Sequence, residues 1–136
     1  FILKSVFAPD AVNAVRLGAT LGSMSSGENA APMMVLGLEI IATFMLMMAV
    51  LGTAVDQRGV GKTSAVGGFG IGLTLTAMIF AIGPATGASL NPSRSFGPAL
   101  VGGYWDIQWV YWAGPIVGAT LAALVWSMLL NGKRSG

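Results

Sequence analysis

Three long apolar windows constrain this chain more than any other feature of its sequence. Residues 33–55 form a 23-residue stretch whose one charge is Glu39, and residues 64–83 form a 20-residue stretch with none. Residues 107–130 form a 24-residue stretch, also uncharged. A helix needs about 20 apolar residues to cross a bilayer. One such window could be a buried helix of a soluble domain, but three with almost no polar face predict three membrane-spanning helices. Charge content agrees. Only 9% of the residues are charged and 54% are hydrophobic, where soluble domains carry about 25% charged residues.

The segments between the windows are short and polar. Residues 8–32 read as a loop with Asp10, Arg16 and Glu28, residues 56–63 as a tight turn, and residues 131–136 as a tail with Lys133 and Arg134. Basic residues favour the cytoplasmic side. Arg58, Lys62, Lys133 and Arg134 therefore predict a cytoplasmic turn and a cytoplasmic carboxy terminus, with the 8–32 loop and the segment between the second and third windows outside. The chain opens at Phe1 without a signal-peptide cleavage pattern. Residues 1–7, largely apolar around Lys4, read as the stub of an earlier membrane helix cut off upstream. Gly68, Gly70 and Gly72 in the second window, and Gly114 and Gly118 in the third, predict close helix contacts, because small residues four apart let backbones approach.

Several function classes drop out. A net charge of +2 is too weak to suggest a nucleic-acid partner. Without cysteine there is neither a disulfide nor a thiolate metal site. Without histidine the chain lacks the commonest general base, metal ligand and pH switch. No enzyme activity, metal or cofactor is expected. Gly59-Val60-Gly61-Lys62-Thr63 looks like the end of a phosphate-binding loop, but Asp56 stands where that pattern needs glycine, and a membrane helix precedes it instead of a strand. Met45, Met47 and Met48 read as apolar filler.

The informative stretch is residues 83–101. It lies between two spanning helices, yet it is not a polar loop. Asn91 is a good helix N-cap, and Pro92 then occupies the first helical position, where its missing N–H costs nothing. A helix over residues 91–101 would be about 16 Å long, half of a hydrocarbon core of about 30 Å. Such a half-helix places its unpaired N–H groups and positive dipole end inside the membrane. The preceding Gly87-Ala88-Ser89-Leu90 is expected to be extended, with free carbonyls. Non-helical backbone at that depth is tolerated where it lines a cavity or is packed in protein. The segment thus predicts a pore in which a row of carbonyl acceptors ends at an Asn donor. Arg94 is a charge within the span and marks a solute path; the alternative is an interfacial arginine reaching the headgroups.

Thr86-Gly87-Ala88-Ser89-Leu90-Asn91-Pro92-Ser93-Arg94-Ser95-Phe96-Gly97-Pro98-Ala99 resembles the second Asn-Pro-Ala box of the aquaporins, the major intrinsic protein family, with Ser93 where the family usually has Ala. The resemblance extends from Gly37-Leu38-Glu39 to Trp112-Ala113-Gly114-Pro115. It implies an all-α membrane protein, the second half of the aquaporin fold, with three transmembrane helices plus a re-entrant half-helix over residues 84–101. In that architecture two inverted repeats meet at the bilayer midplane; the first box and first two helices are missing here. Asn91, Pro92 and Ser93 become the midplane motif, and Gly87, Ala88 and Ser89 the pore carbonyls. Glu39 becomes a brace that accepts hydrogen bonds from the re-entrant loop; the alternative is a protonated bystander at the helix end.

The resemblance also implies a constriction of four positions. Ile79, Ala88 and Arg94 fill three, and the helix-two position is absent. Ile79 and Ala88 make a wide, apolar ring, similar to nodulin-type members that admit glycerol, ammonia or metalloid acids. Ser95, Ala99, Tyr111 and Trp112 instead match the water-channel pattern; glycerol facilitators have Asp where Ser95 stands. The function implied is passive permeation of water, with small neutral solutes also admitted and ions and protons excluded by the positive helix ends. The rivals are a glycerol, ammonia or metalloid-acid facilitator and a non-conducting membrane scaffold. Implied partners are the solute, the lipid bilayer, the missing amino-terminal repeat and further copies in a homotetramer, in the cell membrane.

Overall fold

The structure, a computed structural model, describes residues 2–22, 31–56 and 66–130. The described residues form helices and no strand. Two short helices, α1 (Ile2–Val6) and α2 (Pro9–Val15), lead into a 3-10 turn, Arg16–Gly18. α3 (Pro32–Val50) continues as a π-helical turn, Leu51–Val55. α4 (Val66–Thr86), α5 (Pro92–Gly102) and α6 (Val110–Val125) follow, and α6 continues as a second π-helical turn, Trp126–Leu130. Three helices are long and apolar enough to cross a membrane: Pro32–Val55, Val66–Thr86 and Val110–Met128. The chain is thus an all-α, multi-pass integral membrane protein.

These spans turn apolar side chains outward, as lipid requires. Phe69, Phe80 and Met128 are all exposed, and α4 buries only Gly67, Ile82 and Thr86. Hydroxyls within the spans are satisfied locally. Thr53, Thr74, Thr76 and Thr120 each donate to the carbonyl four residues earlier, which removes the penalty of a bare polar group in hydrocarbon. Exposed Trp105, Trp109 and Trp112 cluster at the entry to the third span, where aromatic rings sit at a membrane–water interface.

α3 and α6 form the principal helix contact. A Cβ added to Gly114 would lie 2.8 Å from Glu39 Cβ, and one added to Gly118 would strike the Ile40 carbonyl. Only glycine allows this approach. The same expectation fails for α4. A Cβ on Gly68 or Gly72 would meet nothing within 4 Å, and one on Gly70 would lie 3.7 Å from Thr53 Cγ2. Gly68 and Gly72 do not face a neighbouring helix, so their spacing does not mark an interface among the described residues.

Other boundaries also differ from expectation. The 8–32 segment is not wholly loop, because Pro9 opens a helical turn at its N1 position. The second span runs past residue 83 and through Pro84 to Thr86, with the Gly87 amide donating to Gly83 O at 2.8 Å. α6 begins at Val110, after a turn over residues 106–109. Glu28, Arg58, Lys62, Lys133 and Arg134 lie outside the described residues, as does the phosphate-loop lookalike at residues 59–63.

Candidate functional site: the re-entrant segment

α5 starts where the sequence predicts. Asn91 is its N-cap, in extended conformation, and Asn91 Oδ1 accepts from the Ser93 amide at 2.9 Å. Pro92 takes the first helical position. At the far end Gly103, with φ 79°, caps the helix through its amide, which donates to Ala99 O at 2.8 Å. Left-handed backbone of this kind favours glycine. The 11 residues of α5 give a rod of about 16 Å at helical rise.

The four residues before Asn91 are non-helical, but they are not extended. Gly87, Ala88 and Leu90 have φ of 85°, 46° and 53°. Two of these are non-glycine residues in the left-handed region, a conformation that persists only where the surroundings impose it. At Gly87 a side chain is excluded twice over, by its φ and by Thr20, whose Cα would lie 3.1 Å from an added Cβ.

Every amide from residue 87 to 91 is bonded on the protein side. Gly87 N donates to Gly83 O at 2.8 Å, and Ala88 N to Thr86 Oγ1 at 2.9 Å. Ser89 N donates to Glu39 Oε1 at 2.9 Å, and Leu90 N to Glu39 Oε2 at 2.8 Å. Asn91 N reaches Ser89 Oγ at 3.4 Å. Thr86 Oγ1 also donates to Glu39 Oε1 at 2.8 Å. Glu39 is fully buried, so its carboxylate is satisfied by two amides and a hydroxyl instead of water. The carbonyls of Gly87, Ala88 and Ser89 accept no hydrogen bond among the described residues. The segment therefore turns its donors to the protein and leaves the carbonyls of residues 87–89 unbonded among the described residues.

Its flanks are held too. Tyr111 OH, fully buried, donates to Thr86 O at 2.7 Å. Thr20 Oγ1 donates to Ser95 Oγ at 2.8 Å, Ser95 Oγ hydrogen-bonds Ser89 Oγ, and Ser89 Oγ donates to Asn91 O at 2.9 Å. Phe96 packs edge-on against Trp105 and Trp112.

The structure brings most of the sequence-derived residues to one locus. Asn91 and Ser93 are exposed, and Pro92 is half-buried. Arg94 is exposed and its Nη1 donates to Gly18 O at 3.2 Å. Ile79 is 46% exposed on α4. Ala88 differs from these residues in exposure. Its side chain is only 3% exposed and belongs to an apolar cluster with Ala42, Ile82 and Leu90. The left-handed turn at Ala88 leaves its methyl packed within the chain's own core. Thr20 and Gly18 carry no motif that would have flagged them. Thr86 and Ser95 stood inside the box, but their partners were not legible.

Beside the Asn91 end of α5 lies a groove of about 290 Å³, lined by Leu46, Met47, Asn91, Pro92, Pro115 and Ile116 among others. Thr43 also lines it; this side chain is 5% exposed and its hydroxyl has no partner among the described residues.

Comparison with known proteins places this geometry in a family. The family model described as major intrinsic protein matches residues 2–126. Aquaporin TIP1-2 of Zea mays is 41% identical over 133 residues, covering 98% of this chain and 52% of the relative. Aquaporin TIP2-1 of Arabidopsis thaliana is 39% identical over 133 residues, covering 98% of this chain and 49% of the relative. Aquaporin TIP4-4 of Zea mays is 50% identical over 95 residues, covering 68% of this chain and 36% of the relative. The chain thus spans about half the length of the relatives matched along nearly all of it. A match along almost the whole chain, a re-entrant half-helix and an Asn-Pro-Ser cap within it together establish that this chain belongs to the major intrinsic protein family.

Proposed function

We propose that this chain forms one half of a passive transmembrane pore for water that also admits small neutral solutes and excludes ions and protons. The observation that carries the proposal is the one-sided hydrogen bonding of residues 87–91. A solute moving past Gly87, Ala88 and Ser89 meets three free acceptors in succession and then the Asn91 amide nitrogen, because the Asn91 oxygen is already committed to Ser93. A molecule with both donors and acceptors exchanges one contact for the next along this row. A cation that sheds water for the carbonyls then faces the positive end of α5 and the Arg94 guanidinium. No bond is made or broken in the solute, so the role is transport and not catalysis.

The other wall comes from a preceding repeat, which pairs with this one at the bilayer midplane. The unfilled groove beside Asn91, with its unpartnered Thr43 hydroxyl, supports that pairing. Further copies complete a homotetramer in the cell membrane with the carboxy terminus cytoplasmic. Water is the preferred solute because Ser95 and Ala99, both buried on α5, match the water-channel pattern. The exposed apolar side chain of Ile79 favours a second reading, in which glycerol-sized neutral molecules also pass.

The test is stopped-flow shrinkage of proteoliposomes that contain the complete protein carrying this segment. Water permeability should exceed that of empty vesicles at least severalfold and scale with protein density. In Arg94→Val, ion leak should rise while neutral-solute flux persists. Permeability at the level of empty vesicles overturns the pore assignment; unchanged ion exclusion in Arg94→Val overturns the guarding role of that residue.

A further inference from the structure

Resting on the pore reading, we infer that Thr20 is a positioning residue for the selectivity of the re-entrant segment, acting through a directed relay of three hydroxyls. Thr20 lies outside the box, in the stretch that follows α2, and is 3% exposed. Its Oγ1 donates to Ser95 Oγ at 2.8 Å across 75 residues of sequence. Ser95 is 1% exposed, and its Oγ hydrogen-bonds Ser89 Oγ; because the Ser89 proton goes to Asn91 O, Ser95 is the donor of that pair. Ser89 Oγ then donates to Asn91 O at 2.9 Å. The Asn91 carbonyl can only accept, so the polarity of the chain is fixed from its last member: Ser89 donates to Asn91 O, Ser95 to Ser89, and Thr20 to Ser95. Such a chain polarises along its length and holds its members to one rotamer each.

The relay ends at the residue that caps α5 and begins at a stretch that grips the same segment twice more. Gly18 O receives the Arg94 guanidinium at 3.2 Å. Thr20 Cα and Cγ2 stand where a side chain on Gly87 would have to go, each 3.1 Å from an added Cβ. Residues 18–20 therefore touch the first residue of the carbonyl row, the serine that fixes its last residue, and the arginine beside that serine. Removing the Thr20 hydroxyl leaves Ser95 Oγ without a buried donor. Ser95, the neighbour of Arg94 on α5, and Ser89 are then free to change rotamer, and the Asn91 carbonyl loses its fixed donor. The segment beside the arginine is then held less tightly, without loss of a residue that touches the solute.

The experiment compares wild type, T20V, T20S, S95A and T20V/S95A of the complete protein in proteoliposomes, reading water and glycerol permeability on the same preparations. T20V preserves side-chain shape and removes the hydroxyl. It should raise the glycerol-to-water permeability ratio about threefold or more, T20S should restore the wild-type ratio, and S95A should match T20V. The double variant should be no worse than either single one, because both break one relay. A ratio in T20V equal to wild type, failure of T20S to rescue, or effects of T20V and S95A that multiply each overturns the inference. If T20V does not insert, S95A with T20S carries the same comparison. Should wild type pass neither solute above empty vesicles, the pore reading fails and hydrogen exchange decides the relay. Amides of residues 88–90 should then exchange at least tenfold faster in T20V than in wild type and T20S, and equal rates overturn it.

Discussion

The backbone amide of Leu90 donates to Glu39 Oε2 at 2.8 Å, joining residues 51 positions apart. Because Ser89 N binds the other oxygen of the same carboxylate, one buried side chain fixes two successive peptide planes. That geometry explains how the left-handed backbone of this segment persists. Two amides aimed at one carboxylate leave the intervening carbonyl little choice but to point away from it.

Replacing Glu39 by Gln should therefore disturb more than one bond. Glutamine keeps one oxygen but presents an NH2 group where the second acceptor stood, so Ser89 N or Leu90 N is left facing a donor. The cost of an unsatisfied buried group and a lost charge-assisted bond is about 3 kcal/mol. Thermal unfolding of the detergent-solubilised protein should show a lower midpoint, and solute flux should fall with it. An unchanged midpoint would remove Glu39 from the bracing role.

Asn91→Asp separates the two jobs of that side chain. An Asp oxygen can still accept from Ser93 N, so the cap of α5 survives. The amide donor is lost and a negative charge is set at the positive helix end. Neutral-solute flux should drop severalfold and cation conductance should appear, while the unfolding midpoint stays close to wild type. Unaltered flux and conductance would show that Asn91 only caps the helix.

Gly118→Ala tests the α3–α6 approach. An added methyl would meet the Ile40 carbonyl and lie 3.1 Å from both Phe44 N and Thr43 Cβ. None of these can move without shifting a helix. Overpacking of this kind costs about 1–3 kcal/mol, measurable as a reduced unfolding midpoint. Gly68→Ala, which meets nothing within 4 Å, is the matched control and should leave stability unchanged or slightly raised. Equal behaviour of the two variants would contradict the packing described.

Cysteine accessibility distinguishes Ile79 from Ala88. The chain has no cysteine, so each single substitution gives an unambiguous signal. Ile79→Cys, at a position 46% exposed, should react rapidly with a thiol reagent, whereas Ala88→Cys, at a position 3% exposed, should react slowly. Comparable rates would place the Ala88 side chain on an open face after all.

Much of the fold was legible because its signals are local. Window length alone located the three spans, and Asn91-Pro92 announced the start of α5 through cap chemistry. The family box gave Glu39 a partner region. What could not be read was long-range. Nothing in residues 17–22 signals that Gly18 will accept from Arg94 or that Thr20 will feed Ser95, since those contacts exist only once distant segments meet. The left-handed turns at Ala88 and Leu90 were hidden for a related reason: neither residue type favours that backbone, which the contacts of Glu39 and Thr86 impose. Glycine spacing in α4 has no matching contact among the described residues, because it records permission for close approach and not the presence of a neighbour.

The Glu39 contacts also carry a consequence for how the protein is made. Synthesis proceeds from the amino terminus, so the carboxylate of α3 reaches the membrane before its three partners at residues 86, 89 and 90 have been polymerised. Until they arrive, Glu39 stands in an apolar helix as a group that lipid tolerates poorly. Burial of α3 and arrival of the re-entrant segment are thereby coupled: the helix is a provisional occupant of the bilayer, and the loop made some 50 residues later, on the spacing of Glu39 from Ser89, completes its insertion. A ribosome-arrested chain ending before residue 86 should leave α3 open to extraction, whereas one long enough to free residue 90 from the exit tunnel should lock it in place.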